Sequence, residues 1–324
     1  MFALMSPAGQ RAQLQVLIFH RVLPHADPLF PQEVDSTQFD RICGWLRAWF
    51  NVLRLDEAVH RLANGSLPAR ALAITFDDGY ADNHDVALPI LRRHGLPATF
   101  FIATGYLDGG RMWNDSIIEA IRRTALHAID LRDLEGLSLG TYAIRTIDEK
   151  RAAIDAILPK LKHLPAPVRQ ALADGIARRA GAQLPDDLMM STEQVVGLHR
   201  AGMQIGAHTV THPILALLDA EEARAEIAAS KLCLEHLLGA PVRLFAYPNG
   251  RPGEDYTPQS VAIARELGLD AAVTTAWGAS SSRTDRFEMP RFTPWDRTRM
   301  RFGLRLGQNL WASRKAAAAA TPTR

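Results

Sequence analysis

The sequence predicts an α/β fold with parallel strands inside and helices outside, and three observations predict it. Short apolar runs bounded by turn residues recur along the chain, segments of helical period lie between several of them, and chemically reactive residue types stand just after the runs. The runs are 15–19, 71–76, 98–103, 204–207, 243–247 and 271–275. Continuous apolar stretches of this length suit strands buried on both faces. The helical segments are 40–50, 81–94, 220–238 and 258–267. Alternation of the two argues for a parallel sheet or barrel wrapped in helices.

Residues 117–190 break this rhythm. They are rich in Ala, Arg and Leu with helical patterning, so an inserted helical subdomain is expected within a main domain spanning 14–296. The segment 297–324 interleaves Arg299, Arg301 and Arg305 with Met300, Leu304 and Trp311, then ends in alanines and Thr-Pro-Thr-Arg. A basic amphipathic helix and a frayed tail are expected there, with the helix either packed on the domain or resting weakly on a membrane surface.

With 324 residues of which 47% are hydrophobic, the chain can bury a sizeable core. Its 37 basic and 35 acidic residues nearly cancel, which argues against nucleic acid as principal partner. Cys43 and Cys233 lie far apart without a CxxC pattern, so no disulfide is expected. Residues 1–15 lack a secretory signal's basic start and apolar run, and no stretch reaches the roughly 18 apolar residues of a membrane span. A cytoplasmic enzyme, peripheral at most at the inner membrane face, is the expectation; oligomeric state is not legible.

Two motifs carry chemistry. In Thr75-Phe76-Asp77-Asp78-Gly79 two carboxylates end an apolar strand before a glycine. Adjacent side chains on a strand diverge, but a turn can bring both toward one pocket, one to bind metal and the other to take a proton. Read alone, Asp-Asp-Gly is equally a solvated turn. In His208-Thr209-Val210-Thr211-His212 two imidazoles four residues apart can face one ion from a helical turn. Two histidines with one carboxylate leave coordination positions open, which suits catalysis rather than a structural staple.

Together these motifs resemble the polysaccharide deacetylase family, or NodB homology domain (carbohydrate esterase family 4), over roughly residues 14–292. The resemblance implies a distorted (β/α) barrel of about seven parallel strands, with Asp77 as general base and Asp78, His208 and His212 as ligands of a divalent metal. Zn²⁺ is the expected ion, with Co²⁺, Ni²⁺ or Mn²⁺ as alternatives. Arg243-Leu-Phe-Ala-Tyr-Pro-Asn-Gly250 resembles the family's groove-wall motif. Tyr247, Pro248 and Asn249 become candidate substrate contacts, and an amide near Asn249 a candidate oxyanion donor. Ala246 stands where many members carry the arginine that orients the base, so that role falls to Arg291 or to Arg243. The family's closing Leu-x-His motif is absent after His236, whereas 16–21 reads Val-Leu-Ile-Phe-His-Arg. This resembles a permuted branch of the family, and since first and last strands of a barrel are neighbours, His20 is the candidate general acid. Trp113 is placed in the sugar cleft or in packing, and Trp277 and Trp295 are read the same way.

The implied function is hydrolysis of N-acetyl groups from an N-acetylated sugar, chiefly N-acetylglucosamine in a polysaccharide or lipid-linked precursor, as in exopolysaccharide biosynthesis. A related amide hydrolase of small molecules and a non-catalytic carbohydrate-binding protein are the alternatives.

Overall fold

In a computed structural model that describes residues 2–134 and 137–319, the strands are β1 (Leu14–Phe19), β2 (Asn51–Val52), β3 (Ala71–Phe76), β4 (Thr99–Ile102), β5 (Ala128–Asp130), β6 (Thr141–Ala143), β7 (Gln204–Ala207), β8 (Leu244–Ala246) and β9 (Ala271–Val273). Seven of them form one sheet in the order β1-β3-β4-β7-β8-β9, with the short β2 also paired to β3, and every pairing is parallel. The six expected strands are all present, trimmed by a residue or two at some ends.

The sheet curls into a partly closed barrel, and the two faces of each strand feed different cores. Leu14, Val16, Ala71, Ala73, Phe101, Leu244, Ala246, Ala271 and Val273 pack together inside. Leu17, Phe19, Leu72, Ile74, Phe76, Phe100, Ile102, Ile205, Ala207 and Phe245 pack outward against helices through Phe39, Leu46, Leu91, Ile227 and Leu234. Small residues recur on the inner face, at Ala71, Ala73, Gly206, Ala246 and Ala271, beside larger ones such as Phe101. A Cβ on Gly206 would sit 2.4 Å from the Phe101 ring.

β1 and β9, expected as neighbours, do not pair. Residues 286–293 lie between them: Ala272 N–H donates to Arg286 and Thr274 N–H to Met289, while on the other side Phe292 N–H donates to Val16 at 2.9 Å and Ile18 N–H to Thr293 Oγ1 at 2.8 Å. This irregular strap closes the barrel in place of a strand.

Helix Ser36–Trp49 starts ahead of the expected 40 because Asp35 caps it, accepting from Gln38 N–H. The expected helix over 81–94 is interrupted: Asn83–Ala87 is a π-turn leading into Leu88–His94. Pro89 has no N–H to close a turn onto Asp85, and the helix widens there. Helix Ala220–Leu238 carries a capping box of Asp219 and Glu222 and ends at left-handed Gly239.

The chain divides into two compact units, one of residues 1–25, 34–107 and 190–324, the other of 26–33 and 108–189. The second unit therefore begins ahead of 117 and takes in part of the β1 loop. It has its own core of Leu29, Ile117, Ile121, Ile129, Ile144, Ile154, Ile157, Leu172 and Ile176. It is not wholly helical, since β5 and β6 pair antiparallel. The C-terminal helix runs Arg299–Ala319. The alanines expected to fray are therefore helical as far as 319, and the rest of that expectation, 320–324, lies outside the described residues. No helix among the described residues is long and apolar enough to cross a membrane.

Candidate active site

Parallel register aligns the C-terminal ends of β1, β3, β4, β7, β8 and β9 along one edge, with Phe19 beside Phe76 and Ile102 beside Ala207. The residues that follow converge there. Asp77 continues the inward parity of Ala71, Ala73 and Thr75. Asp78, next in sequence, would point outward on regular strand, but it takes φ 75° and Gly79 takes φ 90°. The left-handed step turns the second carboxylate to the same pocket, at a backbone strain that non-glycine residues carry mainly at functional sites.

His208 continues the inward parity of Gly206. The expected helical turn from His208 to His212 is not formed; these residues are a loop in which Thr209 has φ 64° and His212 φ 51°. Two left-handed residues, rather than helical spacing, bring the imidazole centroids to 4.8 Å. Asp78 Oδ1 lies 3.4 Å from His208 Nε2 and 3.4 Å from His212 Nε2. The three ligand atoms lie within 4.8 Å of one another.

These residues fit a divalent ion. Asp78 Oδ1 is buried without a hydrogen-bond partner, an orphan expensive to leave unsatisfied. Two donors bound at about 2.1 Å on a tetrahedral centre stand about 3.4 Å apart, which matches both spacings. His208 Nδ1 is 2.7 Å from the Ala246 carbonyl. A carbonyl only accepts, so Nδ1 carries a proton; burial pushes this imidazole's pKa down, but the facing Asp78 and Asp77 carboxylates outweigh it and raise it, so a metal would displace a proton from Nε2 to take its lone pair. Burial pushes His212 down, to about 4, keeping that imidazole neutral as a ligand must be. Burial would raise the Asp78 carboxyl, but the facing imidazoles outweigh it and hold it well below the ordinary range.

Arg291 comes from the closing strap and is 1% exposed. Its Nη1 and Nη2 meet Asp77 Oδ1 and Oδ2, each at 2.6 Å, while Nε donates to Thr274 O at 2.9 Å and Nη1 to Thr75 Oγ1 at 3.2 Å. Burial pushes Asp77 up, yet Arg291 and His208 more than offset it and keep the carboxylate ionised. Arg243, the alternative, donates instead to the Gly268 carbonyl.

His20 is exposed just past β1, on the same sheet edge as Asp77, since Phe19 pairs with Phe76. Its carbonyl accepts from Asn83 Nδ2 at 2.8 Å, and Asp82 grips the next two residues through Arg21 Nε at 2.7 Å and Val22 N–H at 3.0 Å. Asn83, the first residue of the π-turn, and Asp82 just before it thus fix the His20 loop.

Tyr247, expected as a substrate contact, is fully buried. It shares the outward parity of Phe245 and stacks on Tyr256 at 4.0 Å beneath the helices, so its side chain offers no surface to a ligand. Pro248 is buried and Asn249 partly exposed at φ 57°. In this turn Tyr247 N–H is engaged by Val273 O and Gly250 N–H by Pro248 O, and Pro248 has no N–H. Asn249 holds the turn's remaining amide. Trp113 opens helix Trp113–Arg123 of the second unit, with the Arg169 guanidinium 5.0 Å from its ring centroid. Packing within that unit is the role the structure gives it.

Glu226 escaped the sequence reading. From helix Ala220–Leu238 it accepts from Val210 N–H at 2.8 Å, Thr211 N–H at 2.9 Å and Thr211 Oγ1 at 2.7 Å, bracing the loop between the histidines. Nothing local marks a carboxylate on a helix as a brace. Glu226→Ala should weaken metal binding about 10- to 100-fold, the usual effect of removing groups that orient ligands; competition with a chromophoric chelator would measure it.

A sequence profile of polysaccharide deacetylases matches residues 64–272, most of the chain and all three members of the Asp-His-His cluster. The chain belongs to the polysaccharide deacetylase family. Its relatives are hydrolases of carbon–nitrogen bonds in linear amides. YxkH of Bacillus subtilis (strain 168) is 22% identical over 282 residues, covering 86% of this chain and 71% of that protein. The poly-β-1,6-N-acetyl-D-glucosamine N-deacetylase of Staphylococcus epidermidis is 26% identical over 113 residues, only 35% of this deacetylase chain and 39% of that one. Among solved structures, the Streptococcus pyogenes deacetylase PplD in complex with acetate matches with a TM-score of 0.61 and 19% identity, over 92% of this chain and 98% of that one. IcaB from Ammonifex degensii matches at 0.57 and 22%, over 91% and 97%. At such identities these two likenesses establish the fold.

Proposed function

We propose that this deacetylase removes acetyl groups from N-acetylglucosamine units of a glycan or its lipid-linked precursor, using a divalent metal. The observation that carries the reading is the single carboxylate oxygen of Asp78 facing two imidazole nitrogens at 3.4 Å, beside a second carboxylate clamped by arginine. Two nitrogen donors and one oxygen donor favour Zn²⁺. When bound, the ion would polarise the acetyl carbonyl and lower the pKa of a water at the site.

Asp77 accepts the proton of the attacking water. Arg291 occupies one lone pair on each of its oxygens and leaves others for that task. The amide of Asn249 donates to the acetyl oxygen as it gains charge. His20 delivers a proton to the departing nitrogen, which leaves as a free amine with acetate as the other product. The sugar finds an aromatic surface in Trp277 and Trp295, both largely exposed with ring centroids 5.7 Å apart, one following β9 and the other following Arg291. The substrate named for the Staphylococcus relative supports N-acetylglucosamine.

Acetate release from β-1,6-linked N-acetylglucosamine oligomers tests the reading. Activity should vanish with a chelator and return with Zn²⁺. Undiminished release in the chelated protein would remove the metal from the reaction, and turnover of small cyclic amides in place of the oligomers would reassign the substrate.

A further inference from the structure

We propose that the outer face of the C-terminal helix, with the adjoining N-terminal turn, docks the protein on an anionic lipid surface. Helix Arg299–Ala319 buries Phe302, Leu306 and Leu310 in the domain. Its other side carries Met300, Leu304 and Trp311, which are 73%, 51% and 53% exposed. At 3.6 residues per turn these three fall within about 40° of one another around the axis. They form a stripe rather than the scatter of single apolar residues that every soluble surface shows.

Arg301 and Arg314 border the stripe on its two sides, within about 60° of it on the same helical wheel. The helix contains no Asp or Glu, and the nearby acid Asp296 is already paired with Arg305. Arg314 Nη1 donates to the Leu4 carbonyl at 3.1 Å. That bond sets the short helix Phe2–Met5, with the exposed Leu4, beside the C-terminal helix.

An apolar stripe flanked by arginines, with a tryptophan in it, is complementary to the boundary between acidic headgroups and acyl chains. It does not suit a second copy of the chain, whose equivalent face would set arginine against arginine. The placement is independent of the reaction assigned above, although it would present the protein to lipid-linked glycan.

Co-sedimentation of the full chain with vesicles tests it, comparing phosphatidylcholine alone with phosphatidylcholine containing phosphatidylglycerol. Binding should require the anionic lipid and weaken with salt. Arg301→Ala/Arg314→Ala should lower partitioning about thirty-fold, as two arginines near an acidic surface contribute. Met300→Ser/Leu304→Ser/Trp311→Ser should also release the protein while leaving its circular dichroism and its acetate release from soluble oligomers unchanged. Equal binding to both vesicle types, or binding unaltered in both variants, overturns the proposal. So does dimerisation that depends on the stripe without any vesicle binding, which would give the face to a second copy.

Discussion

Asp77→Asn should retain the metal yet lose turnover by about 10²- to 10⁴-fold, the contribution of a positioned general base. The substitution keeps the shape of the side chain and removes its ability to take a proton. It touches none of the three ligand residues, so metal content measured on the purified variant should match the wild type while acetate release collapses. The amide also turns an NH₂ group toward the Arg291 fork, where two donors meet, so some loss of stability should accompany the loss of rate. The two effects separate because unfolding is read by denaturant titration and turnover on the folded fraction. A variant that deacetylated at near wild-type rate would exclude Asp77 as the base.

Arg291→Met should produce the largest loss of stability of any single change at the site. Arg291 is 1% and Asp77 2% exposed, and their bidentate pair is also tied to Thr75 and Thr274. Removing one partner of a buried pair leaves an uncompensated charge and costs about 3–5 kcal/mol. With the guanidinium gone, burial acts on Asp77 with less opposition and its carboxyl moves up from its depressed native value. Activity should fall with it, because the carboxylate loses both its orientation and the charge that keeps it ionised. Urea unfolding measures the first effect. In the double variant Asp77→Leu/Arg291→Met the loss should be smaller than in Arg291→Met alone, since an apolar pair leaves no stranded charge. Equal or greater loss in the double variant would show that packing, not charge, dominates.

The Asp78, His208 and His212 cluster and its neighbouring acid were legible because each lies within a few residues of a strand end and the two motifs occur together. The turn at Gly79 that brings Asp78 beside Asp77 was legible as well, but the route taken by the histidines was not. Helical spacing suggests a shared face for His208 and His212, yet the loop uses left-handed Thr209 and His212 instead. A lone φ > 0 at a non-glycine residue leaves no local mark, because the strain is held by tertiary bonds such as those from Glu226.

Tyr247 illustrates a signal that was present but unused. Strand alternation puts Ala246 on the inner face and Phe245 and Tyr247 on the outer one. The same parity carries Val16 to His20, Ala73 to Asp77 and Gly206 to His208, so the inward positions were readable from β-periodicity once the barrel interior was known. The choice between Arg291 and Arg243 had no such signal. It depended on a strap without strand regularity lying between β9 and β1.

By itself the sequence determined six of the nine strands among the described residues, the reactive residue types at their ends and the family. Apolar runs and short motifs are properties of neighbours in the chain, and they survive without knowledge of any partner. Only the tertiary structure decided which arginine grips Asp77 and how the loop from His208 to His212 presents both imidazoles to one point. Each of those depends on contacts between residues tens to hundreds apart, or on backbone strain that such contacts sustain, and no local pattern encodes either.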